Sequence, residues 1–190
     1  MTSSNYPSTP GAYFIPHPWD AHSRAHPISA WFERYTTEFF DGRDYEPAAI
    51  NKWHTSDFTF IGWDGVPHAG REEAWEAVRA LFLGPFTAHL HSPMASAIVP
   101  LDDGEEGGKG KKWIMLAYAN AYFDVVGQAD GKEKVKKVKS PDGKEWDLVC
   151  PSAYKFYFVE GTEEGNGGIA LSKTEVFCDS HAIMTILGAA

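Results

Sequence analysis

The stretch WFERYTTEFFDGRDYEPAAINKWHTSDFTFIG, residues 31–62, changes its hydrophobic period from helical to β-like within a single segment. Apolar side chains at Trp31, Phe32, Tyr35, Phe39 and Phe40 recur at the spacing of one helix face, and Gly42 closes the run. A second, shorter helix fits YEPAAINKWH, with Pro47 in its first turn, where a missing backbone N–H leaves no bond unmade. DFTFIG then takes up strand-forming residues and leads into Asp64-Gly65, a tight hairpin signal.

Working outward, REEAWEAVRALFLG (71–84) places Ala74, Trp75, Val78, Leu81 and Phe82 on one helical face, and Gly84-Pro85 ends it. Beyond it, strand-like segments at 86–100, 111–126, 146–161 and 168–179 are separated by glycine- and charge-rich connections. The order predicts an α+β domain over 28–181, three helices against one curved antiparallel sheet. A sheet bent in this way encloses a cone-shaped cavity, the usual place for a ligand. Residues 1–27 are rich in proline and without sustained period, and read as an arm that Tyr13, Phe14, Ile15 and Trp19 could staple to the body. The tail, 182–190, is apolar for its length and is expected to form a lid or a dimer contact.

Apolar residues make up 43% of the chain and aromatics 14%, which excludes a disordered body. The formal charge of −9 argues against a nucleic-acid partner, which needs a coherent basic surface. The lysines of KEKVKKVKSPDGK (132–144) cluster around a turn and read as a solvated hairpin or a docking patch. No stretch approaches the roughly 20 apolar residues of a membrane span, so no membrane partner is expected. Cys150 and Cys178 have no paired spacing, and a cytoplasmic location suits two thiols.

The 31–62 stretch and GVPHAGREEAWEAV (65–78) together resemble the SnoaL-like branch of the NTF2-like superfamily, over about residues 28–181. The resemblance implies a cone-shaped barrel with an internal pocket, and a homodimer. Members include polyketide cyclases, dehydratases, isomerases, epoxide hydrolases and plain binding domains, so the fold alone does not choose an activity. TAHLH (87–91) resembles a strand of scytalone dehydratase-type enzymes whose working histidine maps to His89. Asp41 keeps the acidic member of that family's Tyr-Asp pair, with Phe40 in place of the phenol. The family's second pocket histidine falls near Tyr118 to Asn120, where this chain has none, and the ketosteroid-isomerase base position falls near Ile61-Gly62, where it has no carboxylate.

Alternation along a strand puts His89 and His91 on one face, Tyr118, Asn120 and Tyr122 on one face of the next strand, and Tyr154 with Phe156 on one face of the third. Joining these gives a pocket with His89 as acid and base and Asn120 or a tyrosine holding a developing oxyanion. Asp41 or Asp57 would orient the imidazole, and Tyr35 would be a further donor. His91, Tyr118, Tyr122, Tyr154, Phe156 and Trp63 would contact substrate. Asp57 is also readable as a structural residue at the start of its strand, and Tyr35 and Trp63 as core. The remaining histidines, His54 and His26 among them, read as surface or turn residues. His-x-His can open a metal site, but no further ligand follows at a telling distance, so neither a metal nor a cofactor is expected. With no nucleophile elbow or phosphate loop, the leading expectation is a cofactor-independent lyase, isomerase or cyclase of natural-product biosynthesis. Its substrate would be small, apolar and oxygenated, polyketide- or terpenoid-like. The alternative is a non-catalytic small-molecule-binding or dimeric assembly domain of the same fold.

Overall fold

A computed structural model describes residues 11–16, 19–101, 111–126, 137–162 and 165–186. The first ten residues of the arm, residues 132–136 of the basic hairpin and the last four of the tail lie outside them.

The 31–62 stretch folds as its periods predict. Helix α1 (Pro27–Arg34) starts at a proline, with His26 Nδ1 accepting the Ile28 N–H at 3.2 Å, and widens into a π-helical turn over Tyr35–Phe40. The turn ends with Asp41 N–H donating to Thr36 O at 2.8 Å. Gly42 permits this ending, because a Cβ there would stand 2.3 Å from Glu38 O. Arg43 then reverses the chain at a φ of 57°, an unusual conformation for a side-chain-bearing residue. Helix α2 (Pro47–Trp53) runs directly into β2 (His54–Ile61), followed by β3 (Pro67–Ala69) and α3 (Arg71–Val78), whose end is also π-helical over Arg79–Leu83.

The long strands are β4 (Phe86–Leu101), β5 (Lys111–Val125), β8 (Leu148–Glu160) and β9 (Ile169–Cys178). Between them β6 (Val138–Lys139) and β7 (Glu145–Trp146) make a small separate hairpin. The arm contributes an edge strand, β1 (Tyr13–Pro16), so part of it belongs to the sheet rather than standing apart. The order across the sheet is β1-β4-β5-β8-β9-β2-β3. All neighbours are antiparallel except β2 and β9, which run parallel and correct the expected all-antiparallel sheet. Only short connections force an antiparallel pair, and these two strands are joined through the whole domain.

The helices cover the concave face. Trp31, Phe32, Tyr35 and Phe39 pack there with Phe156 and Phe158, and the rings of Phe32 and Phe156 lie 4.5 Å apart. A second cluster of Phe86, Ala121, Phe123, Val125 and Cys150 fills the other end of the sheet and is closed by Ile183 of helix α4 (Ser180–Ile186). The tail as far as this helix is therefore packed structure. Cys150 and Cys178, remote in sequence, meet beside that cluster as free thiols, and the neighbouring Cys178 thiol lowers the pKa of Cys150. Among the described residues no helix is long and apolar enough to cross a membrane.

Candidate active site

Among the described residues, strand β1 covers β4 only at Ala95–Ile98, which leaves the β4 edge open at His91. There Asp41 stands in for a strand. The His91 N–H donates to Asp41 Oδ2 at 2.9 Å, and His91 Nδ1 donates to Oδ1 at 2.7 Å. The carboxylate thereby fixes both the ring's orientation and its tautomer, with the proton on Nδ1 and the Nε2 lone pair uncommitted to Asp41. Side-chain exposure is 15% for His91 and 13% for Asp41, enough for a small molecule to reach them without flooding the pair with water.

His89, two residues earlier on the same face, is occupied. Its Nε2 donates to Phe40 O at 2.8 Å, and Arg43 donates to its Nδ1 at 3.4 Å. Tyr45 also donates to Phe40 O, at 2.5 Å. Two donors thus clamp the last carbonyl of the π-helical turn, the residue next to Asp41. Burial holds His89 neutral, with its pKa lowered to about 4. Its position secures Asp41 rather than offering a free nitrogen.

His91 opens on an apolar cavity of about 80 Å³ between the concave sheet face and the helices. Its walls include Tyr35, Phe40, Trp75, Ala117, Ala119, Tyr154 and Phe156. Tyr35 brings no free hydroxyl, since it donates to His54 Nε2 at 3.2 Å while His54 Nδ1 donates to Ile50 O at 2.9 Å. Burial pushes the Tyr35 phenol up and His54 down to about 3. Neither His54 nor His26 lies at the surface as their sequence context suggested, for both are buried, His26 as the helix cap.

The structure brings Tyr35, His91, Tyr154 and Phe156 to the cavity, with Asp41 behind His91. It separates the rest of the expected set. His91 pairs with Ala121 and Ala119 with Ser152, so the concave face of β5 carries Ala117, Ala119 and Ala121. Tyr118, Asn120 and Tyr122 project from the opposite face, where Tyr118 is 42% exposed and Tyr122 packs near Trp146. Asn120 therefore does not converge with either histidine. Asp57 is exposed on β2, away from the cavity, and Trp63 supports it only indirectly by packing on Phe82 at 4.4 Å. A β-bulge between Pro93 and Ala95 restores Ser96 and Ile98 to the inner side. Arg43, Tyr45 and the alanine face were not singled out from sequence as parts of the site. The three small residues at alternate positions were the available signal, since a cavity needs room as well as polar groups.

Asp41 also supplies the third donor that the His-x-His spacing lacked. One ligand atom each from Asp41, His89 and His91 lies within 4.8 Å of the others. These atoms are already committed, His89 Nε2 to a carbonyl and His91 Nδ1 to the carboxylate, and the Arg43 guanidinium adds positive charge at His89. All three groups are thus engaged with one another or with the backbone in this structure.

No family model matches the chain, and no curated protein does. Among solved structures, a protein of Shewanella denitrificans OS-217 assigned to the SnoaL-like polyketide cyclases superposes with a TM-score of 0.53 at 14% identity, over 87% of this chain and 100% of that one. A protein of Kribbella flavida gives 0.53 at 20% identity over 84% and 93%. The hexachlorocyclohexane dehydrochlorinase LinA-type3 of Novosphingobium barchaimii LL02 gives 0.50 at 10% over 80% and 84%. At these identities the likeness is one of fold. A seven-stranded curved sheet wrapped on helices around one apolar cavity, in a chain that superposes on these structures over most of its length, is the fold of the SnoaL-like branch of the NTF2-like superfamily.

Proposed function

We propose that the protein is a cofactor-independent enzyme in which His91, oriented by Asp41, removes a proton from a carbon of a small, mostly apolar molecule. The observation that carries this is the 2.7 Å bond from His91 Nδ1 to Asp41, which turns the second ring nitrogen into a base at the wall of an apolar cavity. The proton taken by Nε2 is returned elsewhere on the molecule in an isomerisation or ring closure, or follows a leaving group out in an elimination. The likeness in fold to a SnoaL-like cyclase and a dehydrochlorinase supports this range of outcomes.

The cavity narrows the substrate. Its volume of about 80 Å³ is about half of the ~150 Å³ that accommodates benzene, so a small ring enters only as the surrounding side chains give way. A polyketide- or terpenoid-like substrate would insert no more than one small ring beside His91 and leave the rest outside the cavity. A cytoplasmic setting belongs to the same reading and is supported by the two free thiols.

The test is hydrogen exchange at the α-carbon of cyclopentanone in heavy water, followed by NMR. Exchange faster than the buffer rate, and lost in His91→Gln, is the expected result. Exchange at the buffer rate in the wild type, with the ketone still bound, would favour the alternative of a binding domain. For the expected homodimer, the partner surface is the outer sheet face, where Leu116, Tyr118 and Phe177 are 50%, 42% and 55% exposed. Light scattering should show a dimer that Leu116→Asp converts to monomer; a wild-type monomer would overturn the assignment.

A further inference from the structure

A single carboxylate oxygen of Asp41 stands beside two imidazole nitrogens. His91 Nδ1 lies 2.7 Å from Oδ1, and His89 Nε2 lies 3.7 Å from the same oxygen. The His-x-His spacing on β4 puts both rings on one face, and the end of the π-helical turn brings the carboxylate to them. The three atoms fall within 4.8 Å of one another, and among the described residues no other trio of histidine, cysteine or carboxylate side chains comes so close. Zinc bonds of about 2.0–2.1 Å in a tetrahedral site set ligand atoms roughly 3.3 Å apart, a spacing that the two separations from Oδ1 bracket. The hydrogen bonds these atoms now make are replaceable. When His89 Nε2 leaves Phe40 O, the Tyr45 hydroxyl still donates to that carbonyl. Oδ2 keeps the His91 N–H, so the carboxylate stays aimed, and Arg43 keeps its bond to Phe86 O when it releases His89 Nδ1. The guanidinium charge opposes a cation, and the Asp41 carboxylate offsets it. Side-chain exposure of 15% at His91 and 13% at Asp41 lets an ion in.

We propose that Asp41 Oδ1, His89 Nε2 and His91 Nδ1 form a binding site for a divalent transition-metal ion such as zinc, and that a bound ion switches off the base at His91. Two imidazoles and one carboxylate suit zinc, nickel or copper, whereas calcium and magnesium take oxygen ligands. Metal on Nδ1 moves the ring proton of His91. It leaves Nδ1, Nε2 takes one from water, and the imidazole stays neutral. His89 changes in the opposite sense, losing the proton on Nε2 and gaining one on Nδ1, so no net proton is released. With a proton on Nε2, His91 has no lone pair left to accept one from carbon. The switch rests on His91 being the base; the binding site does not.

The experiment dialyses the metal-free full chain against Zn²⁺ alone and Ca²⁺ alone, counts the bound ion, and follows the imidazole nitrogen signals by ¹⁵N NMR. The expected result is a Zn²⁺ ion that shifts His91 Nδ1 and His89 Nε2 while the His54 nitrogens, both engaged elsewhere, stay where they are. Ca²⁺ should shift neither ring. Asp41→Asn, His89→Gln and His91→Gln should each weaken that Zn²⁺ by about tenfold or more, since even groups outside a ligand set are worth about 10–100-fold in metal affinity. Circular dichroism checks that each variant is folded, and the wild-type NMR signals locate the ion without any variant. Zn²⁺ that leaves the His89 and His91 signals unmoved, or that binds the three folded variants as tightly as the wild type, overturns the site. With the site filled, α-carbon exchange of cyclopentanone should fall by about 10²-fold or more. Exchange unchanged or raised by the filled site overturns the switch and leaves the site standing. No exchange by the metal-free chain removes the base and the switch with it, while the site still stands or falls by the imidazole signals.

Discussion

Two histidine stations stand close to the cavity, His54 behind Tyr35 and His91 in the wall itself, and differ in how their ring nitrogens are used. At the first, His54 bridges Tyr35 and Ile50 with both ring nitrogens engaged inside the protein, fully buried and neutral. At the second, His91 gives one nitrogen to Asp41 and keeps the other for the cavity side. Aromatic neighbours do not separate them, and burial does so only in degree, His54 being fully buried and the His91 side chain 15% exposed. The count of committed nitrogens does, because a histidine whose valences are closed can hold structure but cannot exchange a proton without breaking it. By that measure His89 belongs with His54 despite sitting two residues from His91.

The sharpest way to break this comparison is to remove the second station. His91→Gln or Asp41→Asn should lower α-carbon exchange by about 10²–10⁴-fold with the circular dichroism spectrum unchanged. Retained exchange in both variants would sink the dyad. A smaller effect is expected at His89, which acts through Asp41. His89→Leu removes a donor from Phe40 O and should lower exchange by about 10- to 100-fold with little change in ligand affinity, and His89→Gln, which can still donate, should recover most of it. Equal losses in Leu and Gln would mean that the imidazole itself is needed.

Acid acts on the buried imidazoles in a different way. His89 and His26 are lowered to about 4 and His54 to about 3, all by burial, against an ordinary value near 6.5. The unfolded chain therefore binds more protons than the folded one as pH falls from 6.5 to about 4, so stability should be highest above that window and decline through it. Urea unfolding across pH 4–7 should show this slope, shallower in His89→Gln. A flat profile would mean that these imidazoles are charged in the fold. The smallest expected effect is Tyr35→Phe, which unpairs His54 Nε2, should lower stability by about 1 kcal/mol, and should leave exchange within about threefold. A large loss of exchange there would make Tyr35 part of the chemistry.

The legible part of the molecule was local. The period of Trp31, Phe32, Tyr35 and Phe39, the glycine at 42 and the proline at 47 place two helices, and these match α1 with its π-helical turn and α2. Alternation in YKFYF put Tyr154 and Phe156 on the same face, and both reach the cavity. The same alternation in AYANAY was correctly split into two faces, but the wrong one was joined to the histidines. Strand alternation repeats every two residues and carries no sign, so only the pairing of His91 with Ala121 decides which face is inside.

The sequence by itself determined the main helices and strands, the fold class and a short set of chemistry-bearing residues, because hydrophobic period, turn residues and side-chain type are local properties. The tertiary structure decided which histidine can act. Asp41 and His91 are separated by fifty positions in the chain and meet only because the π-helical turn ends against an uncovered strand edge. That meeting depends on strand register, on the clamp at Phe40 O and on where β1 stops. None of these is encoded in any single segment.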